Sequence, residues 1–286
     1  MNGPSLARRI VMFPLVRLVL ALVPIVVFLI GTSMATAKIP PHGFAGAVIP
    51  VATGMVVLAI YFGFVRLVER RPVDELGGAG AFTEAARGFA VGAALFCTTV
   101  AILLAIGVAH VGRGDGPRAL VVGLGLALGA AIVEETLLRA IFFRIVEESL
   151  GTWVALAASA ALFGLLHAFN PGATAVSTVA IALEAGVLLA AAFVFTRRLW
   201  MAIGLHAAWN FSEGGIFGAS VSGTKPYGLF RSTFDGAPLL SGGAFGPEAS
   251  IVAVVVCLSA GVALAVAAHR RGRFVAPFWR RANVSG

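Results

Sequence analysis

Glu134, Glu135 and Arg139 sit in a stretch, Ala130 to Arg144, that is otherwise almost wholly apolar. A carboxylate or guanidinium at the centre of a bilayer costs about 2.5–3.5 kcal/mol on insertion scales, so such groups face a bundle interior, find partners and carry function. On a helix Glu135 and Arg139, four apart, share a face, while Glu134 points about a quarter-turn away. The spacing predicts a division of labour: Arg139 neutralises Glu135, and Glu134 is left free to take a proton as a general base.

Three further polar positions interrupt apolar runs. Phe163 and His167 are four apart near a helix end that Asn170-Pro171 terminates. A lone histidine there reads as a capped or interfacial residue as readily as a catalytic one. His206 and Asn210 are also four apart, followed by Glu213; such a pair can cap a helix, bind a metal, or donate two hydrogen bonds to a developing oxyanion. Glu184 is another buried carboxylate, expected to be structural, with a second contact to Arg139 or a proton relay as the other readings.

The elements that must position these residues are membrane helices. The chain has 286 residues, 59% of them hydrophobic and only 12% charged, and its apolar runs repeatedly reach the ~20 residues that cross a bilayer. The fold class expected is all-α, a polytopic membrane helix bundle of about eight transmembrane helices, over roughly 10–32, 44–66, 88–111, 118–146, 152–169, 173–196, 199–217 and 249–268. The longest connection, 218–249, is a Gly-, Ser- and Pro-rich loop, so residues 1–286 read as a single membrane domain. Gly123, Gly125 and Gly129 predict close helix packing ahead of the charged cluster. The first run, Ile10 to Gly31, is longer than a signal-peptide apolar region and carries Arg17, so it reads as a retained helix.

The formal charge of +8 falls in short basic clusters between apolar runs and forms no basic face for nucleic acid. Arg8, Arg9, Arg17, Arg66, Arg70, Arg71, Arg87, Arg197, Arg198, Arg270, Arg271, Arg273, Arg280 and Arg281, with Arg144 at a helix end, collect at one side, Lys38, Arg113, Arg118, Lys225 and Arg231 at the other. That asymmetry places both termini in the cytoplasm. Cys97 and Cys257 lie in apolar segments with no metal-site or disulfide spacing. Counting from the cytoplasmic helix ends puts Glu134 and His167 on the order of 20 Å deep and His206 only about 10–12 Å, a mismatch for groups expected to meet.

Glu134-Glu135-x-x-x-Arg139, Phe163-x-x-x-His167 and His206-x-x-x-Asn210 together resemble the three motifs of the CPBP family, intramembrane endopeptidases related to type II CAAX prenyl endopeptidases and to bacteriocin-immunity (Abi) proteins. The resemblance covers roughly 118–217, which it marks as the catalytic core. It implies that Glu134 activates water with help from His167, that His206 and Asn210 stabilise the oxyanion, and that Glu135 and Arg139 support the site. No cofactor is expected on this reading. The alternative is a zinc centre with Glu134, His167 and His206 as ligands and a water in the fourth position. No HExxH occurs, and Glu135, which would then have to be the base, is the residue that geometry gives to Arg139.

A proton-coupled transporter also carries Glu, His and Arg at mid-membrane, but spans one to four and five to eight do not mirror one another as a transporter's inverted repeat would. A noncatalytic immunity or scaffold protein on the same fold is the remaining alternative. The expected substrate is a membrane-associated peptide or protein, prenylated in some relatives, cut in a cavity open to cytosol and lipid. The expected location is the plasma membrane of a bacterium, with the lipid bilayer as the other partner.

Overall fold

The computed structural model describes residues 5–40, 43–225 and 227–281. Among these, eight longer helices form the bundle: α1 (Pro14–Thr36), α2 (Phe44–Glu69), α3 (Ala81–Ala105), α4 (Arg118–Leu150), α5 (Thr152–His167), α6 (Ala175–Thr196), α7 (Leu199–Asn210) and α8 (Ile251–Arg270). Six of them are long and apolar enough to cross a membrane, while α5 and α7 are shorter. The protein is an all-α polytopic membrane bundle, as its apolar runs predict.

Several boundaries differ from the sequence expectation. α3 starts at Ala81 rather than 88 and ends at Ala105, because Ile106 to Val108 leave the helix and Ala109–Arg113 become strand β1. β1 pairs antiparallel with β2 (Phe230–Phe234), from Ala109 opposite Phe234 to Arg113 opposite Phe230. The connection expected to be loop throughout thus contributes a strand, and also short helical turns at Pro238–Ser241 and Pro247–Ala249. Its tight points use glycine: Gly218 has φ +59°, and a Cβ there would meet the Phe230 carbonyl.

Four helices contain a widened π turn: Val65–Glu69 in α2, Thr136–Phe143 in α4, Ala182–Gly186 in α6, and Phe211–Ile216 continuing α7. All four carry buried polar residues, with Glu69, Arg139, Glu184 and Glu213 inside them, and Asn210 immediately precedes the fourth. A π turn inserts one extra residue and redirects the side chains that follow, which is why such turns concentrate at functional sites.

The glycine-rich face of α4 packs against α2. A Cβ on Gly125 would run into Ala47, and one on Gly129 into Pro50, so backbones rather than side chains meet there. This close approach holds α4 rigidly, as small residues do between helices in lipid. α3 and α7 make a similar contact through Gly88, Gly92 and Gly204. One apolar core joins α1, α2, α4, α5, α6 and α7 around Tyr61, Phe143 and Phe193, and a second joins α3, α5, α6, α7 and α8 around Phe96, Phe163 and, from the connection before α8, Phe245. The outer faces keep large apolar residues exposed, among them Val19, Val27, Phe62, Val121 and Val255, as a lipid-facing surface requires.

At the end of the bundle where α1 begins, an ion network closes the helices together. Glu69 accepts from Arg17 at 2.5 Å, Arg144 at 2.9 Å and Arg71 at 2.8 Å. Arg144 also pairs with Glu148 at 2.8 Å and Glu75 at 3.2 Å, and Arg17 with Glu148 at 2.5 Å. The three arginines and three glutamates balance in charge, so each buried ion is compensated.

This layer explains the depth mismatch. Arg144 belongs to it although six helical residues follow, so the polar floor on α4 lies only nine residues below Glu135, about 13 Å. Arg198, at the same end, binds Glu84 at 3.0 Å and the carbonyl of Ala79 at 2.6 Å. His206 stands eight residues, about 12 Å, above it. Measured from the ion layer, the two sites are level.

Candidate active site

Glu135 and Arg139 form the buried pair that their spacing predicts, with Arg139 Nη1 donating to Glu135 Oε1 at 3.0 Å and both side chains fully buried. The same Glu135 oxygen also receives His206 Nδ1 at 2.9 Å. Glu135 is therefore the hub that fixes both a cation and an imidazole, a role the spacing alone did not reveal. Arg139 does not reach Glu184. Its other end points at the carbonyls of Gly186 and Ala185, at 3.4 and 3.5 Å, within the π turn of α6.

Glu134 behaves differently from its neighbour. Its side chain is 32% exposed where that of Glu135 is 0%. Its Oε2 has no hydrogen-bond partner, and the closest basic atom is His206 Nε2 at 3.9 Å. That separation is too long for a direct hydrogen bond and leaves room for one oxygen atom to touch both groups.

Phe163 holds the histidines in register. Its buried ring stacks on His167 at 4.6 Å, meets His206 edge-on at 6.1 Å and lies under the Arg139 guanidinium at 4.8 Å. Aromatic and cation–π contacts of this kind fix ring orientation as well as adding stability. His167 Nδ1 lies 2.8 Å from the Phe163 carbonyl. A carbonyl only accepts, so Nδ1 carries a proton and Nε2 faces away from that bond, free to accept in the neutral ring. By the same logic His206 donates from Nδ1 to the Glu135 carboxylate.

Glu134, His167, His206 and Asn210 all line one cavity of about 200 Å³. The four side chains thus share one cavity wall, and His167 makes no hydrogen bond to Glu134. Residues the sequence reading passed over or left unassigned share the same wall: Asn170, Ser222, Thr224, Glu184 and Glu248. Ser222 has a left-handed backbone, φ +47°, and its N–H is held by Glu248 Oε1 at 2.6 Å. A positive φ on a serine inside a Gly-rich loop marks a roof held in place by side chains, and no helical or strand periodicity advertises it.

The donor set for zinc is less well assembled. Among the described residues no group of three or more His, Cys, Asp or Glu side chains stands close enough to hold a metal ion. The pairing of His206 Nδ1 with a carboxylate is nevertheless the arrangement that commonly orients a metal-binding imidazole.

The helices and this cavity define a polytopic integral membrane protein with a carboxylate, two histidines and an amide gathered inside the bundle. Residues 116–212 match the family model of type II CAAX prenyl endopeptidase Rce1-like proteins. The match spans about a third of the chain and covers Glu134, Glu135, Arg139, Phe163, His167, His206 and Asn210, so over this segment the chain is similar to that family. Searches of curated proteins and of solved structures found no match.

Proposed function

We propose that this protein hydrolyses peptide bonds of membrane-associated substrates with water activated by Glu134. The observation that carries the reading is the contrast between adjacent carboxylates: Glu135 is fully engaged by Arg139 and His206, whereas Glu134 presents an unpartnered oxygen beside the cavity. A water between Glu134 and the scissile carbonyl gives its proton to Glu134 as it attacks. The oxygen of the tetrahedral intermediate is stabilised by His206 and Asn210, and Glu134 returns the proton to the leaving amine. With Nδ1 donated to Glu135, His206 must carry both protons for Nε2 to donate as well. Glu135, which Arg139 shares, and ionised Glu134 at 3.9 Å together offset that charge. His167 lines the cavity beside Glu134 and supplies an Nε2 that in the neutral ring can accept from the water or the leaving group.

The metal reading keeps one observation in its favour, the carboxylate behind His206. In that case Glu134, His167 and His206 would hold zinc, which would supply a Lewis acid and a more acidic water. The scaffold and transporter readings remain the noncatalytic alternatives. We place the protein in the plasma membrane of a bacterium with both termini cytoplasmic, and treat prenylated peptides as one substrate class among lipidated ones.

The test is turnover of quenched fluorescent peptides, lipidated and plain, by the purified protein with and without a zinc chelator. Turnover that survives chelation and disappears in Glu134→Gln supports the glutamate mechanism, and loss on chelation moves the same residues to zinc. Undiminished turnover in Glu134→Gln refutes both.

A further inference from the structure

The bundle has two unlike ends, and the cavity belongs to one of them. Successive helices run in alternate directions, so the starts of α1, α3, α5 and α7 share an end with the finishes of α2, α4, α6 and α8. The α2–α4 packing agrees: Ala47 lies against Gly125 and Pro50 against Gly129, pairing the start of one with the start of the other. The first end holds the ion network of Arg17, Glu69 and Arg144. The second end holds the β1–β2 pair and the connection from 217 to 250.

Three cavities reach Glu134, and they take their walls mainly from the second end and the middle of the bundle. The main cavity takes Asn170 from the α5–α6 turn and Ser222, Thr224 and Glu248 from the connection before α8. A side groove runs from Glu134 between Thr32 and Thr36 at the finish of α1 and Pro50 and Thr53 near the start of α2. A third opening lies between Leu137 and Leu166, beside His167 and Asn170. No residue of the arginine-bearing connections, 70–80, 197–198 or 271–281, lines any of the three. An apolar groove of about 420 Å³ adjoins the main cavity at Ala130 and Asn210 and leads to Lys225, again at the second end.

Charge assigns the ends to compartments. Arg66, Arg70, Arg197, Arg270, Arg271 and Arg280 lie at the first end. At the second end the basic residues are fewer, and Arg231 is paired with Asp115 at 3.0 Å. Short connections rich in Lys and Arg stay in the cytoplasm.

We infer that the Glu134 cavity opens on the non-cytoplasmic side of the membrane, and that its substrate is a membrane-anchored peptide displayed there, lipidated or spanning, with the scissile bond in the outer half of the bilayer. This substrate class rests on Glu134 being the hydrolytic site; the sidedness does not. A cavity open to the cytosol, which the sequence predicts, would take part of its wall from the arginine-bearing connections, and the three cavities at Glu134 take none.

The experiment labels single cysteines in intact cells with a membrane-impermeant maleimide. The full chain carries Cys97→Ser, since Cys97 is an exposed free thiol while Cys257 is buried. Thr224→Cys and, as an independent variant, Lys225→Cys report on the mouth of the cavity; both positions are exposed. Arg280→Cys reports on the opposite end. The expected result is at least tenfold stronger labelling of the two mouth cysteines than of Arg280→Cys in intact cells, with Arg280→Cys reacting only after permeabilisation. The reverse pattern overturns the inference. Right-side-out and inverted vesicles are then given an impermeant acylated quenched peptide, with Glu134→Gln as blank. Cleavage by right-side-out vesicles alone supports the substrate class, and cleavage by inverted vesicles alone overturns it. Outward labelling with no cleavage in either preparation overturns the hydrolytic reading and the substrate class together, while the sidedness stands.

Discussion

Glu134→Gln and Glu135→Gln are the same chemical change one residue apart, and the structure predicts opposite consequences. Glu135 Oε1 is the acceptor for Arg139 at 3.0 Å and His206 at 2.9 Å, with Arg139 fully buried. Removing one partner of a buried ion pair typically costs about 3–5 kcal/mol, because the remaining charge is left uncompensated. Glu134 lies near enough to Arg139 to offset part of that loss, so the expected penalty for Glu135→Gln is near the lower figure, about 3 kcal/mol. Every 1.4 kcal/mol is tenfold in an equilibrium constant, so this raises the unfolded fraction roughly a hundredfold. Glu134 Oε2 has no partner to lose, and Glu134→Gln is expected to leave stability within about 1 kcal/mol of the parent chain. Its activity is expected to fall at least ~100-fold, the low end of what a positioned general base contributes. The assay is thermal or denaturant unfolding of the detergent-solubilised protein, read beside peptide turnover on the same samples. Equal destabilisation by the two substitutions, or a Glu135→Gln protein that unfolds like the parent, would refute the division of roles between them.

Two further outcomes follow from packing and from burial. Gly92→Val places a branched side chain against the Leu205 carbonyl and the Ala208 side chain; backbone cannot yield as a flexible side chain does, so a loss of at least ~1–3 kcal/mol is expected in the same unfolding assay, together with reduced turnover because Leu205 adjoins His206. Burial pushes the Glu248 carboxyl above its ordinary value of 4.5, so the folded chain keeps this proton to higher pH than the unfolded one. Its contribution to stability is full below about 4.5 and declines as pH rises from there through the raised value. Unfolding of the parent chain and Glu248→Gln compared across pH should show the variant gaining relative stability over that window, and a difference independent of pH would count against it.

Much of the bundle was legible because apolar length and helical period are local properties. The Glu135–Arg139 pair was legible for the same reason, since four residues along a helix fix a shared face. The partner of His206 was not, because 71 residues separate it from Glu135 and nothing in the spacing of His206 and Asn210 reports which helix stands opposite. Phe163 was visible only as a neighbour of His167, although its ring also touches Arg139 and His206. The π turns escaped notice because Thr136–Phe143 has the composition of any apolar helix; the extra residue per turn is stabilised by tertiary contacts such as those of Arg139. Ala109, His110 and Val111 do not break an apolar run, so the sequence predicts the tail of a helix there, and only β2, more than a hundred residues later, gives their backbone groups another partner.

The ion network at the base of the bundle also constrains the order in which the molecule is assembled. Arg17 binds Glu69 and Glu148, which are synthesised 52 and 131 residues after it. Until both have emerged, α1 holds a guanidinium in the membrane without its counter-charges, a condition that keeps the helix near the interface or loosely associated. α2 supplies the first glutamate and the last turn of α4 the second. The first helix made is thus among those whose docking is completed late, and the bundle locks only when α4 has brought Arg144 and Glu148 to the same layer. That dependence couples biogenesis to the site itself, because the helix that releases α1 into its final position is the one that carries Glu134.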